Sequence, residues 1–218
     1  PTGQLSSYAP VSAISGNQIT IGTISTGIFE TFAAGTEVMF HVSAMKTAGD
    51  NSQFGKFYLA KVLAVSGSVV TLDTPPPWTV SLTDYSCQLI TVPNFNNLTI
   101  STTYSAAKKW DNTAKIGGIL VIKSKGTFNL SSGKLNMEGK GLLDANNAGN
   151  ATLRPYISTQ CSGQQKDYLP MNQGVGSVLI IANEMIANTS SRICGLSSGA
   201  EFGGAGPGAD TTVVPGGG

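Results

Sequence analysis

The side chains able to do chemistry in this chain are few and scattered. Its one histidine, His41, sits in VMFHVSAM, which reads as mid-strand. A Ser-His-Asp site would need a nucleophile on a strained elbow, and no G-x-S-x-G surrounds any serine. Thiol catalysis with a Cys-His pair meets the same objection. The candidate carboxylates are Asp111, Glu138, Asp144 and Glu184. They could hydrolyse a glycosidic bond only if two were held ~5–10 Å apart in a cleft, and each reads instead as lying alone in a turn or on a solvated strand face. Asp111 follows Trp110, an aromatic able to stack on a sugar ring. A chain without enzymatic activity is the expectation.

Metal and cofactor chemistry is equally thin. Asp144-Ala145-Asn146-Asn147-Ala148-Gly149-Asn150 resembles the start of a calcium loop, but Ala148 takes a ligand position and Pro155 stands where a closing Glu belongs. An Asn-rich turn is the better reading. The cysteines, Cys87, Cys161 and Cys194, have no C-x-x-C spacing, and one histidine cannot complete a zinc set. Cys161 with Cys194 could form a disulfide, but buried free thiols are the better reading. The C-terminal glycines lack the Lys-Ser/Thr of a phosphate cradle. No metal or cofactor is expected. The N-x-S/T sequons at Asn97, Asn129, Asn150 and Asn188 arise readily by chance in so Ser/Thr-rich a chain.

Composition says what must position these residues. Of 218 residues only 11% are charged and the net charge is +1. That offers no cluster of Lys and Arg for nucleic-acid phosphates. No apolar run reaches the ~18 residues of a membrane span. PTGQLSSYAP lacks the charged and apolar regions of a signal peptide; Pro1 fits either a trimmed initiator Met or a signal-cleavage end, and manufacture in a cytoplasm is expected in the first case. The 27 glycines, with frequent Ser and Thr, disfavour helix interiors and suit short strands joined by tight turns. The fold class expected is all-β.

Two internal echoes organise the strands. VSAISGNQITI (11–21) returns as VLAVSGSVVTL (62–72), each reading as a hairpin whose Ser-Gly pair supplies positive φ. Between them Glu37 to Met45 alternates, with Val38, Phe40, Val42 and Ala44 on one face and Glu37, His41 and Ser43 on the other. Pro93 and the asparagines of VPNFNNLTI mark a boundary. Beyond it, Gly117 to Gly141 resembles Gly176 to Gly199, and the apolar runs Ile119–Ile122 and Val178–Ile181 imply strands buried on both sides. Their separation of roughly sixty residues favours duplicated hairpin units over β-helix rungs. The predicted division is 1–95, a small β-barrel or sandwich with a duplicated hairpin; 96–202, a second, sandwich- or solenoid-like β domain with duplicated strand units; and 203–218, a Gly-rich tail. That tail, EFGGAGPGADTTVVPGGG less its first two residues, carries too little apolar side chain for an ordinary core, so disorder is expected there.

Over residues 56–141 the chain resembles phage tail and tail-fibre proteins. The resemblance rests on Val65-Ser66-Gly67, Val92-Pro93-Asn94-Phe95, Leu98-Thr99-Ile100, Trp110-Asp111, Gly117-Gly118-Ile119, Gly126-Thr127-Phe128 and Gly139-Lys140-Gly141. The chain departs after Gly141, where LLDANNAGN replaces the glycine block. The resemblance implies a virion structural or adhesive protein of the tail, meeting a host-surface glycan or protein and other fibre subunits, with a homotrimer favoured. A secreted or cell-surface bacterial adhesin is the alternative, and a polysaccharide-degrading tail enzyme the second. The ligand-contact candidates are Trp110 and Asp111, with Tyr156 and Tyr168 on the polar loop 142–174; the loop 46–54 is a further contact surface.

Overall fold

The computed structural model describes residues 3–46, 53–130, 133–137, 140, 177–187, 192–194, 200–201 and 211–215. Every regular element among them is a strand, so the all-β expectation holds.

The first six strands are Tyr8–Ser15 (β1), Gln18–Ile21 (β2), Glu37–Met45 (β3), Phe57–Ser66 (β4), Val69–Leu72 (β5) and Tyr85–Thr91 (β6). They pair in the order β1-β2-β5-β4-β3-β6, and β6 pairs back onto β1, closing a barrel. Closure leaves these strands no free edge. Gly16 and Gly67 open the two hairpin loops at φ 59° and 57°, the conformation that glycine adopts without steric cost.

The barrel is two copies of one three-strand unit. The β1-β2 and β4-β5 hairpins carry the same bulge, at Val11/Ala13 and Val62/Ala64. The hairpins then pair with each other through Ile19↔Val70, flanked by Gln18↔Thr71 and Thr20↔Val69. Ile19 and Val70 are 51 residues apart, the offset of the sequence echo. The same offset relates Met39 to Ile90, which face each other where β3 meets β6. It also carries Ala9↔Leu89 onto Ala60↔Val38. A local twofold axis therefore runs through the Ile19–Val70 and Met39–Ile90 pairs.

The inner faces fill the barrel with Ala9, Ile19, Val38, Phe40, Val62, Val70, Leu72 and Leu89. β3 is buried on both faces. Val38, Phe40 and Val42 point inward as the alternation requires, but a bulge at Val42/Ala44 turns Ala44 outward.

The remaining strands run differently. They are Asn94–Phe95 (β7), Leu98–Thr99 (β8), Thr103–Tyr104 (β9), Ile119–Asn129 (β10), Lys134–Asn136 (β11), Ser177–Ile186 (β12), Arg192–Cys194 (β13), Ala200–Glu201 (β14) and Thr211–Pro215 (β15). β10 pairs in parallel with β7 and β8 on one side and with β12 on the other; β12 pairs in parallel with β15. A second sheet runs β14-β13-β11-β9, its β9-β11-β13 ladders also parallel. Successive passes of the chain thus stack as solenoid rungs. The two apolar runs are neighbours in this stack, Leu120 on Val178 and Ile122 on Ile180. This corrects the hairpin reading: separation along the sequence counted the chain between Met137 and β12 as part of the rung. Within the stretch expected to be disordered, Thr211–Pro215 form a strand at the edge of β12, and the rest of 203–218 lies outside the described residues.

The apolar run of β10 splits by alternation. Leu120 and Ile122 join Phe128, Leu130, Leu135, Val178 and Ile180 inside the solenoid. Ile119 and Val121 point the other way, to Tyr8, Met39, Ile90, Val92, Trp110 and Leu179. This third cluster fastens barrel to solenoid.

Candidate functional site

The outer surface of the solenoid brings together residues that the sequence keeps far apart. The β10 ladder is irregular between Ser124 and Thr127. There the Gly126 N–H donates to Asn96 O (2.8 Å) and the Thr127 N–H to Asn97 Oδ1 (2.8 Å). A Cβ on Gly126 would lie 2.4 Å from Asn97 Oδ1 and 2.9 Å from Asn96 O, so only glycine lets the strand approach this closely. On the other side, Thr127 Oγ1 donates to Glu184 Oε2 (2.7 Å), and Asn183 Nδ2 donates to Lys125 O (2.5 Å).

The outcome is a polar strip across three adjacent strand segments. Asn97, Lys125, Asn183 and Glu184 are exposed and Thr127 is partly so. Parallel stacking repeats such groups at ~4.8 Å. Amide, hydroxyl and carboxylate groups on neighbouring strand segments can donate to and accept from the hydroxyls of a polyol. Glu184 is the one carboxylate that the strip's hydrogen bonds bring in among the described residues.

Of the sequence candidates, Glu184 lies on this strip, whereas Trp110 and Asp111 fall elsewhere. Trp110 is 6% exposed in the cluster joining barrel to solenoid, and its backbone N–H donates to Lys140 O (2.8 Å). Its ring meets protein, so a sugar cannot stack there without displacing the junction. Asp111 closes the turn that follows: its Oδ1 accepts from the N–H groups of Thr113 and Ala114 at 3.0 Å each. The Ala114 N–H, then that of Thr113 and nearby Lys108, hold its carboxyl below the usual range. Tyr156, Tyr168, Glu138, Asp144 and the Asn-rich turn lie outside the described residues, as do Cys161 and most of the loop 46–54.

His41 is fully buried. Its Nδ1 lies 2.8 Å from Ser43 Oγ, which accepts from Gln88 Nε2 (2.8 Å). Gln88 reaches across to the solenoid, where its Nε2 donates to Gly117 O (3.0 Å) and its Oε1 accepts from Gly117 N (2.8 Å). Tyr8 OH donates to Ile119 O (2.6 Å), and Lys123 Nζ pairs with Glu37 at 2.9 Å. These bonds hold the two β regions in a fixed relation. Cys87 is a buried free thiol, which burial pushes up to about 12 against a small opposing pull from Lys46. Among the described residues no group of three or more His, Cys, Asp or Glu could hold a metal ion, and no helix is long and apolar enough to cross a membrane.

Sequence reasoning missed Asn97, Thr127 and Asn183. The available signal was the G-T turn of the resemblance; the echo, which sets Ile119 against Val178, is one residue out of the β10–β12 register.

No family model matches the sequence, and no curated protein matches it. Among solved structures, the tailspike of Acinetobacter baumannii bacteriophage AP22, in complex with A. baumannii capsular saccharide, is similar over 62% of this chain and 22% of its own, at 12% identity and a TM-score of 0.28. The tailspike protein of Pseudomonas phage LKA1 is similar over 88% of this chain and 28% of its own, at 9% identity and a TM-score of 0.28. The chain thus spans about a quarter of the length of these two tailspikes. The expectation of a chain without enzymatic activity is withdrawn, because its physical basis was incomplete. Rung stacking joins residues 57 apart, as Thr127 and Glu184 show, so spacing along the sequence cannot test for converging carboxylates.

Proposed function

We propose that this chain is a component of a phage tail that contacts a host-surface glycan along its solenoid, as part of a homotrimer. The observation that carries the reading is the polar strip from Asn97 through Thr127 to Glu184, held on stacked parallel rungs. A rigid ladder of donors and acceptors loses little entropy when an extended polyol binds. The sequence resemblance supplies the viral context and the trimer. The outer edges of β7 and β15 are the ends of the first solenoid sheet, and such edges are commonly covered by other chains.

The test is binding of the chain to immobilised bacterial capsular and O-antigen polysaccharides, with reducing-end release followed in the same samples. Saturable, saccharide-selective binding that tracks the oligomer in sedimentation supports the proposal. Absence of binding to every polysaccharide, or equal binding to all, overturns it.

A further inference from the structure

The solenoid stacks like charge on like charge. The register that sets Lys134 on Thr103 and Leu135 on Tyr104 is an offset of 31 residues. Ser105 continues it, its Oγ donating to Asn136 O (3.1 Å). The same offset relates Lys109 to Lys140, and the Trp110 backbone N–H donates to Lys140 O (2.8 Å), the bond that a parallel pair at this register makes. Lys109 and Lys140 are therefore neighbours on successive rungs, which lie ~4.8 Å apart. Trp110 turns inward to the junction, so Lys109 beside it faces out, where it is exposed. Like charges placed opposite one another destabilise a sheet. Among the described residues neither ammonium group has an ion-pair partner.

Two more lysines border this pair. The Gly118 N–H donates to Lys108 O (2.9 Å) and the Lys115 N–H to Asp111 O (2.7 Å), which folds Lys108 and Lys115 onto one turn. Lys115 is the one described non-glycine residue at positive φ, 58°. That region suits glycine, and a side chain there costs stability. Strain of this kind gathers at functional positions. Lys115 Nζ donates to Asn112 Oδ1 (2.7 Å), so its ammonium is held over an exposed residue. The carboxylate of this turn, Asp111, is engaged by the N–H groups of Thr113 and Ala114.

Rung stacking thus adds Lys140 to three lysines that the turn already gathers. A surface of one sign raises the local concentration of opposite charge. Lys109 and Lys140 repeat along the stacking direction, which suits a polymer bearing acidic groups at intervals. Nucleic acid is the poorer fit, because the ring of Trp110 is buried and offers no platform for a base.

We infer that Lys108, Lys109, Lys115 and Lys140 form a cationic site for the carboxylates of an acidic polysaccharide, apart from the polar strip. The inference rests on the glycan reading above and narrows it to polymers that contain acidic sugars.

The experiment titrates the full chain calorimetrically with an acidic capsular polysaccharide, with the same polymer after reduction of its carboxyl groups to alcohols, and with duplex DNA. The acidic polymer should bind at least about tenfold more tightly than the reduced one, and added salt should weaken its binding by screening exposed charge. Lys109→Gln/Lys140→Gln should weaken it at least about tenfold, Lys115→Gly about three- to tenfold, and Lys109→Arg/Lys140→Arg less than about threefold. Without ligand, the Gln and Gly variants should melt at or above the wild-type temperature, since one removes a like-charge stack and the other relieves a positive φ. Equal binding of the acidic and reduced polymers, or wild-type affinity in the Gln variant, overturns this site while leaving the solenoid strip in place. DNA bound as tightly as the acidic polymer also overturns it, as do variants that melt well below wild type, since the lysines would then hold the fold. Binding of neither polymer overturns this site and the glycan reading together.

Discussion

Gln88 and Gly117 exchange two hydrogen bonds across the boundary between barrel and solenoid, the amide donating to Gly117 O at 3.0 Å and accepting from Gly117 N at 2.8 Å. Gln88 is fully buried, and its Nε2 is shared with Ser43 Oγ. One side chain therefore satisfies both backbone groups of a residue in the other β region.

Replacing Gln88 by Leu keeps the volume and removes the partners. The Gly117 N–H and C=O would then be buried and unmatched, each costing ~1–3 kcal/mol. Guanidinium unfolding should show a loss of about 3 kcal/mol. A loss below about 0.5 kcal/mol would mean that the junction opens to water.

Alkaline pH should unfold the protein in a defined window. Cys87 is raised from 9.0 to about 12, chiefly by burial. Burial also raises the Tyr8 hydroxyl, whose hydrogen bond runs to Ile119 O. Both groups are held neutral in the fold, so their contribution is complete below the unfolded values and is lost as pH rises through the folded ones. Stability should stay flat to pH ~9 and then fall, with a slope approaching about 1.4 kcal/mol per pH unit for each group. Cys87→Ala should delay the onset towards pH 10. An onset that does not move would remove Cys87 from the account.

Gly126→Ala tests the close approach of the first two rungs. The new methyl would meet Asn97 Oδ1 at 2.4 Å and the backbone oxygen of Asn96 at 2.9 Å. The side chain can turn away, but the backbone must shift, so a loss of about 2 kcal/mol is expected in thermal unfolding. Asn97→Ala combined with Gly126→Ala should recover part of it.

These features were unequally readable in the sequence. The hairpin glycines were legible because a two-residue turn needs positive φ, and Gly16 and Gly67 have it. The repeat beyond the hairpins was hidden, since β3 and β6 share an apolar face but few residue types. The burial of both faces of β10 was legible from Ile119 to Ile122, whereas parallel stacking was not, because it leaves no turn signal between partners. Trp110 illustrates the limit for sites. Sequence can nominate an aromatic for a ligand, but only the fold shows that Tyr8, Met39 and Ile119 have already claimed it. Thr127 and Glu184 could not be paired in advance, since their meeting depends on the length of chain inserted between rungs.

The most direct test of the glycan reading is calorimetric titration of the wild-type chain and the Thr127→Val/Glu184→Gln variant with the best-binding polysaccharide. Both side chains lie on the solvent side of the strip, so unfolding should change by no more than about 0.5 kcal/mol. The account predicts binding weakened by at least about tenfold in the variant. Equal affinity in the two proteins would contradict it.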